Sequence, residues 1–326
     1  MKRRHFTQSL IGAAAGAALL TGFAARAQGL SSRPIRIVVP FGAGGVADVT
    51  ARVVAQQLSS QLGQPVVIDN KPSAGGIVAA DAVAKSAPDG HTLFLMSNGS
   101  AVTANLFASL PFDMVKDFTP ISTLGYFDIG VITDAKSPFK SLGELVGYAR
   151  ANPGKLNLGS INVGSTQHLA AELFKTTAGV DMQIVPFNGT PAVVTALRGK
   201  QIDAAVEILT PIMGQISSKA VNLLAITGDK RSPLLPGVPT AQESGVKGFV
   251  ASSWNALAAP SRTPAPVIAR LSQEITTAVN HPDVAKKLRE LNVQAQASTP
   301  EQTARLLQAE IRRWGEVIAA AKIPKQ

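Results

Sequence analysis

The chain has 326 residues and contains no cysteine, which excludes disulfide bonds, thiolate metal sites and cysteine nucleophiles. Its formal net charge is +10, but the basic residues are scattered and there are only two Trp and two Tyr. This composition does not favour a nucleic-acid-binding surface. A mildly basic protein that attracts small anions fits it better.

Residues 1–27 have the three parts of a secretory signal peptide. Lys2–Arg4 is basic, Leu10–Leu20 is apolar, and Ala25–Ala27 is an A-x-A cleavage site. The apolar run is shorter than the roughly 20 residues that a membrane-spanning helix needs, and no later segment is apolar for long enough. We therefore expect export with cleavage after Ala27. The pair Arg3-Arg4 leaves the twin-arginine and general secretory routes both open.

Strand and helix patterns alternate from residue 28 onward, which is typical of an α/β fold with parallel sheets and right-handed crossovers. A first series of strands is followed by a second series further along the chain. The predicted strands are Ile35–Val39, Val66–Ile68, Thr92–Met96, Ile129–Thr133, Leu156–Gly159, Gln183–Pro186, Ile202–Val206 and Leu223–Ile226.

The C-terminal part is predicted to be helical. Thr299 and Gln302 fit a capping box. Apolar residues from Leu307 to Ile318 then recur at the spacing of one helical face. Such amphipathic helices must pack on another element, and the simplest arrangement returns the chain to the part where it began.

The sequence therefore predicts two α/β lobes, each a mainly parallel sheet flanked by helices. We expect residues 28–127 plus 253–326 to form the first lobe and residues 128–252 to form the second. The chain would cross between the lobes twice, near Leu124–Gly130 and near Val250–Ala259. A hinge of two crossings permits closure around a ligand.

The glycine-rich turn after the first strand is the most informative motif. Gly42–Ala47 fits G-x-G-x-x-A, and Asp69 follows Ala47 by 22 residues, which is also the spacing of a dinucleotide fingerprint. Such a turn also presents free backbone N–H groups at the positive end of a helix, which suits a small anion. Pro40 before the turn and the export signal favour the small anion, and an exported NAD-dependent oxidoreductase is the alternative.

Asp48 closes this first motif and has two interpretations. Its carboxylate either reaches the ligand or acts as the N-cap of the helix that follows. Because an unpaired carboxylate would repel an anionic ligand, the cap is favoured.

A second polar loop, Gly164–His168, occupies the corresponding place in the second lobe. Small hydroxyl groups and backbone N–H groups at a helix N-terminus can donate hydrogen bonds to a carboxylate. An ordinary helix cap is the plainer alternative. A hydrolase using Ser165 and His168 is disfavoured, because no G-x-S-x-G elbow surrounds either residue and a spacing of three residues is poor geometry for a nucleophile and its base.

Two more polar turns, Asn98–Ser100 and Asn188–Thr190, follow predicted strands, and Glu207 follows another. Turn chemistry alone could explain each, but ligands bind at the carboxyl ends of strands in open α/β sheets. Glu207 could accept a hydrogen bond from an ammonium, amide or hydroxyl group, or could be a solvated strand end. The three histidines after the signal are far apart in sequence, so we expect no metal site.

The ordered set of these motifs resembles the Bug (TctC-like) receptors, the periplasmic solute-binding proteins of tripartite tricarboxylate transporters. The segments that carry the resemblance are Pro34–Phe41 with Gly44-Gly45 and Asp48, Leu62–Asn70, Ala74–Gly76, Ala87–Gly90, Pro153–Asn157, Gly164-Ser165 with His168–Ala170, Val185–Phe187 with Gly189, and Lys230–Pro233 with Pro239-Thr240. They extend from about Arg33 to the C-terminal helix. Each motif alone is weak, and their order together is specific.

The resemblance implies a periplasmic-binding-protein (Venus flytrap) fold, no catalysis, no cofactor and a periplasmic monomer. It also implies a small organic acid or amide ligand held between the lobes and delivered to the membrane components of such a transporter. In the family, the first turn and the loop at Gly164–Thr166 grip a ligand carbonyl or carboxylate, and the other cleft loops choose the rest of the ligand. The expected ligand-binding residues are Phe41, Gly42, Ala43, Gly44, Gly45, Ala47, Asp48, Asn98, Ser100, Gly164, Ser165, Thr166, His168, Asn188, Gly189, Thr190 and Glu207.

Overall fold

The computed structural model describes residues 32–326. The predicted signal peptide, residues 1–27, lies outside the described residues. Within residues 32–326, no helix combines the length and the apolar character that crossing a bilayer requires.

The first part of the chain forms a β-α-β-α-β unit. Its middle strand is rich in β-branched residues that are buried on both faces, as a central parallel strand requires. It pairs in parallel with both of the other strands, so that the order across the sheet is β2-β1-β3. The elements are β1 (Ile35–Val39), α1 (Val46–Leu62), β2 (Val66–Asn70), a 3₁₀ turn (Ala74–Gly76), α2 (Ile77–Ala84), β3 (Thr92–Ser97) and α3 (Asn98–Leu106).

The second part repeats this topology after a long strand. Its order, β6-β5-β7, again places the first strand of the unit in the middle and pairs it in parallel with both neighbours. The elements are β4 (Phe118–Asp134), α4 (Leu142–Ala151), β5 (Asn157–Ile161), α5 (Thr166–Ala178), β6 (Gln183–Phe187), α6 (Thr190–Arg198), β7 (Ala204–Ile208), a 3₁₀ turn (Thr210–Ile212), α7 (Met213–Ser217) and β8 (Val221–Ile226).

The chain then returns to the first sheet. β9 inserts antiparallel between β3 and β4, and β10 pairs antiparallel with β4. The last elements are β9 (Ser252–Pro260), α8 (Ala265–Val279), α9 (Pro282–Glu290), β10 (Val293–Ala295) and α10 (Pro300–Ala320). Thr299 forms the predicted capping box with Gln302 at the start of α10. The short strand β10 has no counterpart among the predicted elements.

Strand β4 joins the two sheets. Residues 118–128 pair with β9, whereas residues 129–134 pair with β7 and β8. The sheets are therefore parallel within each β-α-β-α-β unit and antiparallel where β4 and β9 join them. The two segments predicted as crossings, 124–130 and 250–259, lie within β4 and largely within β9. This is the two-lobed α/β fold that the sequence predicts.

The largest hydrophobic cluster extends through both sheets. It contains Phe94 and Met96 from the first sheet, Leu158 and Phe174 from the second unit, and the fully buried Trp314 of α10. Helix α10 packs against α3, α5 and β4, so it contacts elements of both units. Burial of this many apolar side chains is the main stabilising term of the fold.

Candidate functional site

The polar loops singled out in the sequence all lie at the carboxyl ends of strands that belong to the two parallel units. They follow β1, β3, β5 and β6, and Glu207 lies one residue before the end of β7. Because parallel strands present their carboxyl ends at one edge, each unit gathers its own loops together.

The turn between β1 and α1 is open to solvent. Phe41 is 39% exposed, and the glycine-rich residues 42–45 after it are also exposed. Gly44 has a left-handed backbone with φ +83, which explains why glycine stands there. The N-cap of α1 is Gly45, and the described residues supply no side-chain cap. The first N–H groups of α1 are thus left for a ligand or water.

Asp48 does not cap α1, contrary to one interpretation of the sequence, because the N-cap is Gly45 and Asp48 lies three residues later. Its carboxylate instead accepts hydrogen bonds from the N–H of Gly44 at 2.8 Å, from Nε of Arg52 at 2.9 Å and from Nδ2 of Asn70 at 2.9 Å. Burial alone would raise the pKa of Asp48, but these donors outweigh it and hold the pKa below its ordinary value. The carboxylate is therefore already paired, and its hydrogen bonds hold the turn after β1 in place.

Asn70 and Arg52 are site residues that sequence reasoning missed. Nδ2 of Asn70 also donates to the carbonyl oxygen of Phe41 at 3.0 Å, and Arg52 donates to Oδ1 of Asn70 at 3.0 Å. The carboxyl end of β2 therefore holds the turn that follows β1. The spacing of four residues between Asp48 and Arg52 was the available signal, since such pairs meet on one helical face.

In the loop between β5 and α5, Ser165 is a helix cap. Its Oγ accepts from the N–H of His168 at 3.0 Å and donates to the carbonyl oxygen of Ile161 at 3.0 Å. Thr166 and His168 are buried, and burial lowers the pKa of His168 below its ordinary value. The imidazole faces the N–H of Gly164 and the carboxylate of Glu172, so Ser165 and His168 do not form a nucleophile–base pair.

Asn98 is buried and lies between two elements from different parts of the chain. Asn98 is the first residue of α3 and not part of a loop, because Ser97 is the N-cap and forms a capping box with Ser100. The Asn98 side chain is 0% exposed, donates to Oγ1 of Thr166 at 3.1 Å and accepts from Nε1 of Trp314 at 2.7 Å. It thus bonds the start of α3 to the start of α5 and to α10.

Glu207 is enclosed by the starts of two helices. Its Oε2 accepts from Oγ1 of Thr190 at 3.0 Å and from Nε2 of Gln167 at 3.4 Å. Glu207 is 0% exposed, and its Oε1 has no hydrogen-bond partner among residues 32–326. Burial, partly offset by these hydrogen bonds and by the N–H of Ile208, raises the pKa of Glu207 to about 7. Gln167 was not among the residues predicted from the sequence.

The loop before α6 differs from its neighbours in exposure and capping. Asn188 is exposed, and Gly189, with φ +91, is the N-cap of α6. As at α1, no side chain in the described part of the protein caps this helix. Among the helices that follow β1, β3, β5 and β6, each unit therefore has one glycine-capped start and one serine-capped start.

A further polar residue, Asn255, lies at the edge of the first sheet. It is opposite Ser97 in the β3–β9 register, at the carboxyl end of β3. Asn255 is 0% exposed, and neither atom of its carboxamide has a hydrogen-bond partner within residues 32–326. Buried polar groups are nearly always satisfied in proteins, so this amide has hydrogen-bonding capacity left for a water molecule or a ligand. Nothing in the sequence around Asn255 signalled this position.

The arrangement can recognise a small polar ligand. Backbone N–H groups at the α1 start can bind a negative group, and the carboxamide of Asn255 can both donate and accept. Across the residues that the structure describes, no group of three or more His, Asp or Glu side chains is placed to hold a metal ion.

Comparison with known proteins agrees with this chemistry. Residues 50–323 match the family model described as tripartite tricarboxylate transporter family receptor. Protein BugT of Bordetella pertussis is 36% identical over 289 residues, which cover 88% of this chain and 89% of BugT. The solved structure of R. palustris Rpa4515 with adipate has a TM-score of 0.80 and 32% identity and covers 91% of this chain and 99% of that one. MatC from Rhodopseudomonas palustris with bound malate has a TM-score of 0.74 and 34% identity, with coverage of 88% and 99%.

The family match spans most of the chain, and the relatives are aligned over almost their whole length. Both solved neighbours are described with a bound dicarboxylate. The predicted resemblance to Bug and TctC proteins is confirmed, and the oxidoreductase and hydrolase alternatives are set aside. This chain belongs to the tripartite tricarboxylate transporter receptor family, whose members are periplasmic solute-binding receptors and not enzymes.

Proposed function

We propose that this protein captures a small carboxylate or carboxylate-amide ligand in the periplasm and delivers it to the membrane components of a tripartite tricarboxylate transporter. The ligand would lie between the lobes, residues 28–127 plus 253–326 and residues 128–252, in contact with the loops predicted from the sequence. The change of strand partners after Asp128 in β4 supports this division.

One observation carries the proposal. Each sheet has, at its carboxyl edge, a fully buried polar side chain with atoms that no described residue satisfies, Asn255 in the first sheet and Glu207 in the second. Leaving such groups unpaired costs about 1–3 kcal/mol each. A polar ligand bound between the two edges would remove that cost.

Thermal unfolding of the purified protein against a panel of small carboxylates, carboxylate-amides and NAD tests the ligand class. A ligand present at 100 times its dissociation constant should stabilise the protein by about 2.7 kcal/mol. We expect stabilisation by one or a few carboxylates or carboxylate-amides. Stabilisation by NAD alone, or by no member of the panel, would contradict the proposal.

Delivery to a transporter is tested by uptake of the ligand that this panel identifies. Deletion of the receptor and deletion of the membrane components should each abolish uptake of that solute by whole cells. The receptor should also appear in the osmotic-shock fraction. Uptake that persists without the receptor, or a receptor confined to the cytosol, would contradict this part.

A further inference from the structure

Glu207 is a buried acid with half of its hydrogen-bonding capacity unused. The residue is 0% exposed, the side chains of Thr190 and Gln167 both donate to Oε2, and Oε1 has no partner within the described range. A carboxylate oxygen offers about two acceptor positions, so Oε1 is a free acceptor next to the strand end where the second sheet gathers its loops.

Among residues 32–326, no neighbouring charge contributes to the pKa shift of Glu207. Its pKa shift has burial as the largest cause, and every opposing hydrogen bond comes from a neutral group. Among residues 32–326, none of the titratable side chains on the elements packed against β7 is hydrogen-bonded to Glu207. These side chains are His168, Glu172 and Lys175 on α5, Arg198 on α6, and Tyr126, Asp128 and Asp134 on β4.

The first sheet offers the opposite chemistry. The uncapped start of α1 presents N–H groups at the positive end of a helix of 17 residues. The acid in its first turn, Asp48, is already satisfied by three donors. One side of the site therefore favours a carboxylate, and the other side presents an unsatisfied acceptor.

We propose that Glu207 sets ligand specificity, accepting through Oε1 a hydrogen bond from an N–H or O–H donor at the far end of a ligand whose near end is a carboxylate. This inference rests on the proposed function and narrows it. Above neutral pH the receptor then prefers a monocarboxylate bearing an amide, ammonium or hydroxyl group over a dicarboxylate of the same length, because a second carboxylate would face an ionised Glu207 with no cation between them.

Ligands of matched length, from four to six carbons, show which kind of donor group Glu207 accepts a hydrogen bond from. For each length we would measure dissociation constants by calorimetry for the dicarboxylate, its monoamide, the ω-amino acid and the ω-hydroxy acid, at pH 6, 7 and 8. At pH 8 at least one donor-bearing ligand should bind about tenfold or more tightly than the matched dicarboxylate. A group with pKa about 7 is mostly ionised at pH 8 and mostly protonated at pH 6. Dicarboxylate affinity should therefore fall by about tenfold over this range, and ω-amino acid affinity should rise by a similar factor.

Glu207→Gln keeps the size of the side chain and removes its charge. We expect this variant to lose most of the preference for donor-bearing ligands and to show flat pH profiles between pH 6 and 8. Thr190→Val removes a donor to Oε2 but leaves the acid, so it should raise the midpoint of the wild-type pH profile and keep the preference. Glu290→Gln, at the exposed end of α9, is the matched control and should leave every ratio unchanged.

The outcomes separate the two proposals. If no carboxylate of either kind binds, the proposed function is wrong. If carboxylates bind but the dicarboxylate is preferred at pH 8, or Glu207→Gln leaves the ratios unchanged, only the role of Glu207 is wrong. If Glu207→Gln fails to fold, Thr190→Val becomes the test. An unshifted pH profile in Thr190→Val would also overturn the inference.

Discussion

At the scale of single residues, two buried carboxyl groups show how hydrogen-bond partners determine whether such a group is ionised. Asp48 has three donors, one of them the guanidinium of Arg52, and the pKa of Asp48 lies below its ordinary value. Glu207 has only neutral donors, and the pKa of Glu207 rises to about 7. The first acid can hold a loop at any physiological pH, whereas the second changes charge near neutrality.

The raised pKa of Glu207 predicts how stability depends on pH. Between its ordinary pKa of 4.5 and about 7, the folded protein keeps a proton that the unfolded chain releases, so the stability that this proton gives is complete below pH 4.5 and is lost as the pH rises through 7. The difference corresponds to about 3 kcal/mol. Relative to wild type, Glu207→Gln should therefore become more stable by up to about 3 kcal/mol between pH 4.5 and 8. Urea unfolding at several pH values measures this, and a constant difference would contradict it.

Asn98 should contribute to stability beyond its size. Asn98→Ala removes the donor to Thr166 and one of two acceptors of Trp314 Nε1, the other being Glu310 at 2.9 Å. Loss of these buried hydrogen bonds should lower the free energy of unfolding by about 1–3 kcal/mol in urea titrations. Asn188→Ala, at an exposed turn, is the control and should change it by less than about 0.5 kcal/mol. Equal effects of the two variants would show that the buried contacts add nothing.

At the scale of elements, the start of α5 lies tightly against α3. A Cβ at Gly164 would clash with the side chain of Leu106, which belongs to α3. Gly164 also has a left-handed backbone, with φ +81. The loop can therefore approach α3 only with glycine at this position.

Substitution of the two glycines that flank α5 separates the backbone effect from the packing effect. Gly179, the C-cap of α5, is also left-handed, with φ +61, but has no atom within 4 Å of a built Cβ. Gly179→Ala should lower the free energy of unfolding by about 1–2 kcal/mol through backbone strain alone. Gly164→Ala should lower the free energy of unfolding by more than this, as measured by urea unfolding. It should also weaken ligand binding, as measured by calorimetry. Equal losses of stability, or unchanged binding in Gly164→Ala, would contradict the packing argument.

Elements with strong local signals were predictable from the sequence. The β-branched run gave β1, the apolar run after Thr92 gave β3, and the capping box at Thr299 marked the start of α10. Contacts between residues far apart in the sequence were not predictable, because they depend on tertiary packing. Asn255, Gln167 and Trp314 enter the site only through the return of β9 and α10 or through the approach of α5 to β7.

At the scale of the whole molecule, the largest hydrophobic cluster contains residues of both sheets, beside a smaller cluster in each. The largest cluster contains Phe94 of the first sheet and Phe174 of α5, and Trp314 of α10 is buried within it. Residues far apart in sequence thus depend on one another for burial. Length and the alternating pattern were enough to predict two lobes, but periodicity within each element carries no information on which side chains share a core.

This shared core predicts a single unfolding transition. Both tryptophans, Trp254 on β9 and Trp314 on α10, are almost completely buried in it. Tryptophan fluorescence and far-UV circular dichroism should therefore give the same midpoint in a urea titration, and the calorimetric and van't Hoff enthalpies should agree. Two separate transitions would show that the lobes unfold independently.

Strand β4 constrains any movement of one lobe relative to the other. Its 17 residues, at about 3.4 Å each, make a ribbon of roughly 55 Å that belongs to both sheets. The junction after Asp128 is thus not a flexible linker but backbone hydrogen-bonded on both flanks. If the lobes open, β4 must twist along its length while its hydrogen bonds to the neighbouring strands stay intact. Amide protons at the centre of the hinge would then exchange with solvent as slowly as those of the core, although the lobes on either side change their relative orientation.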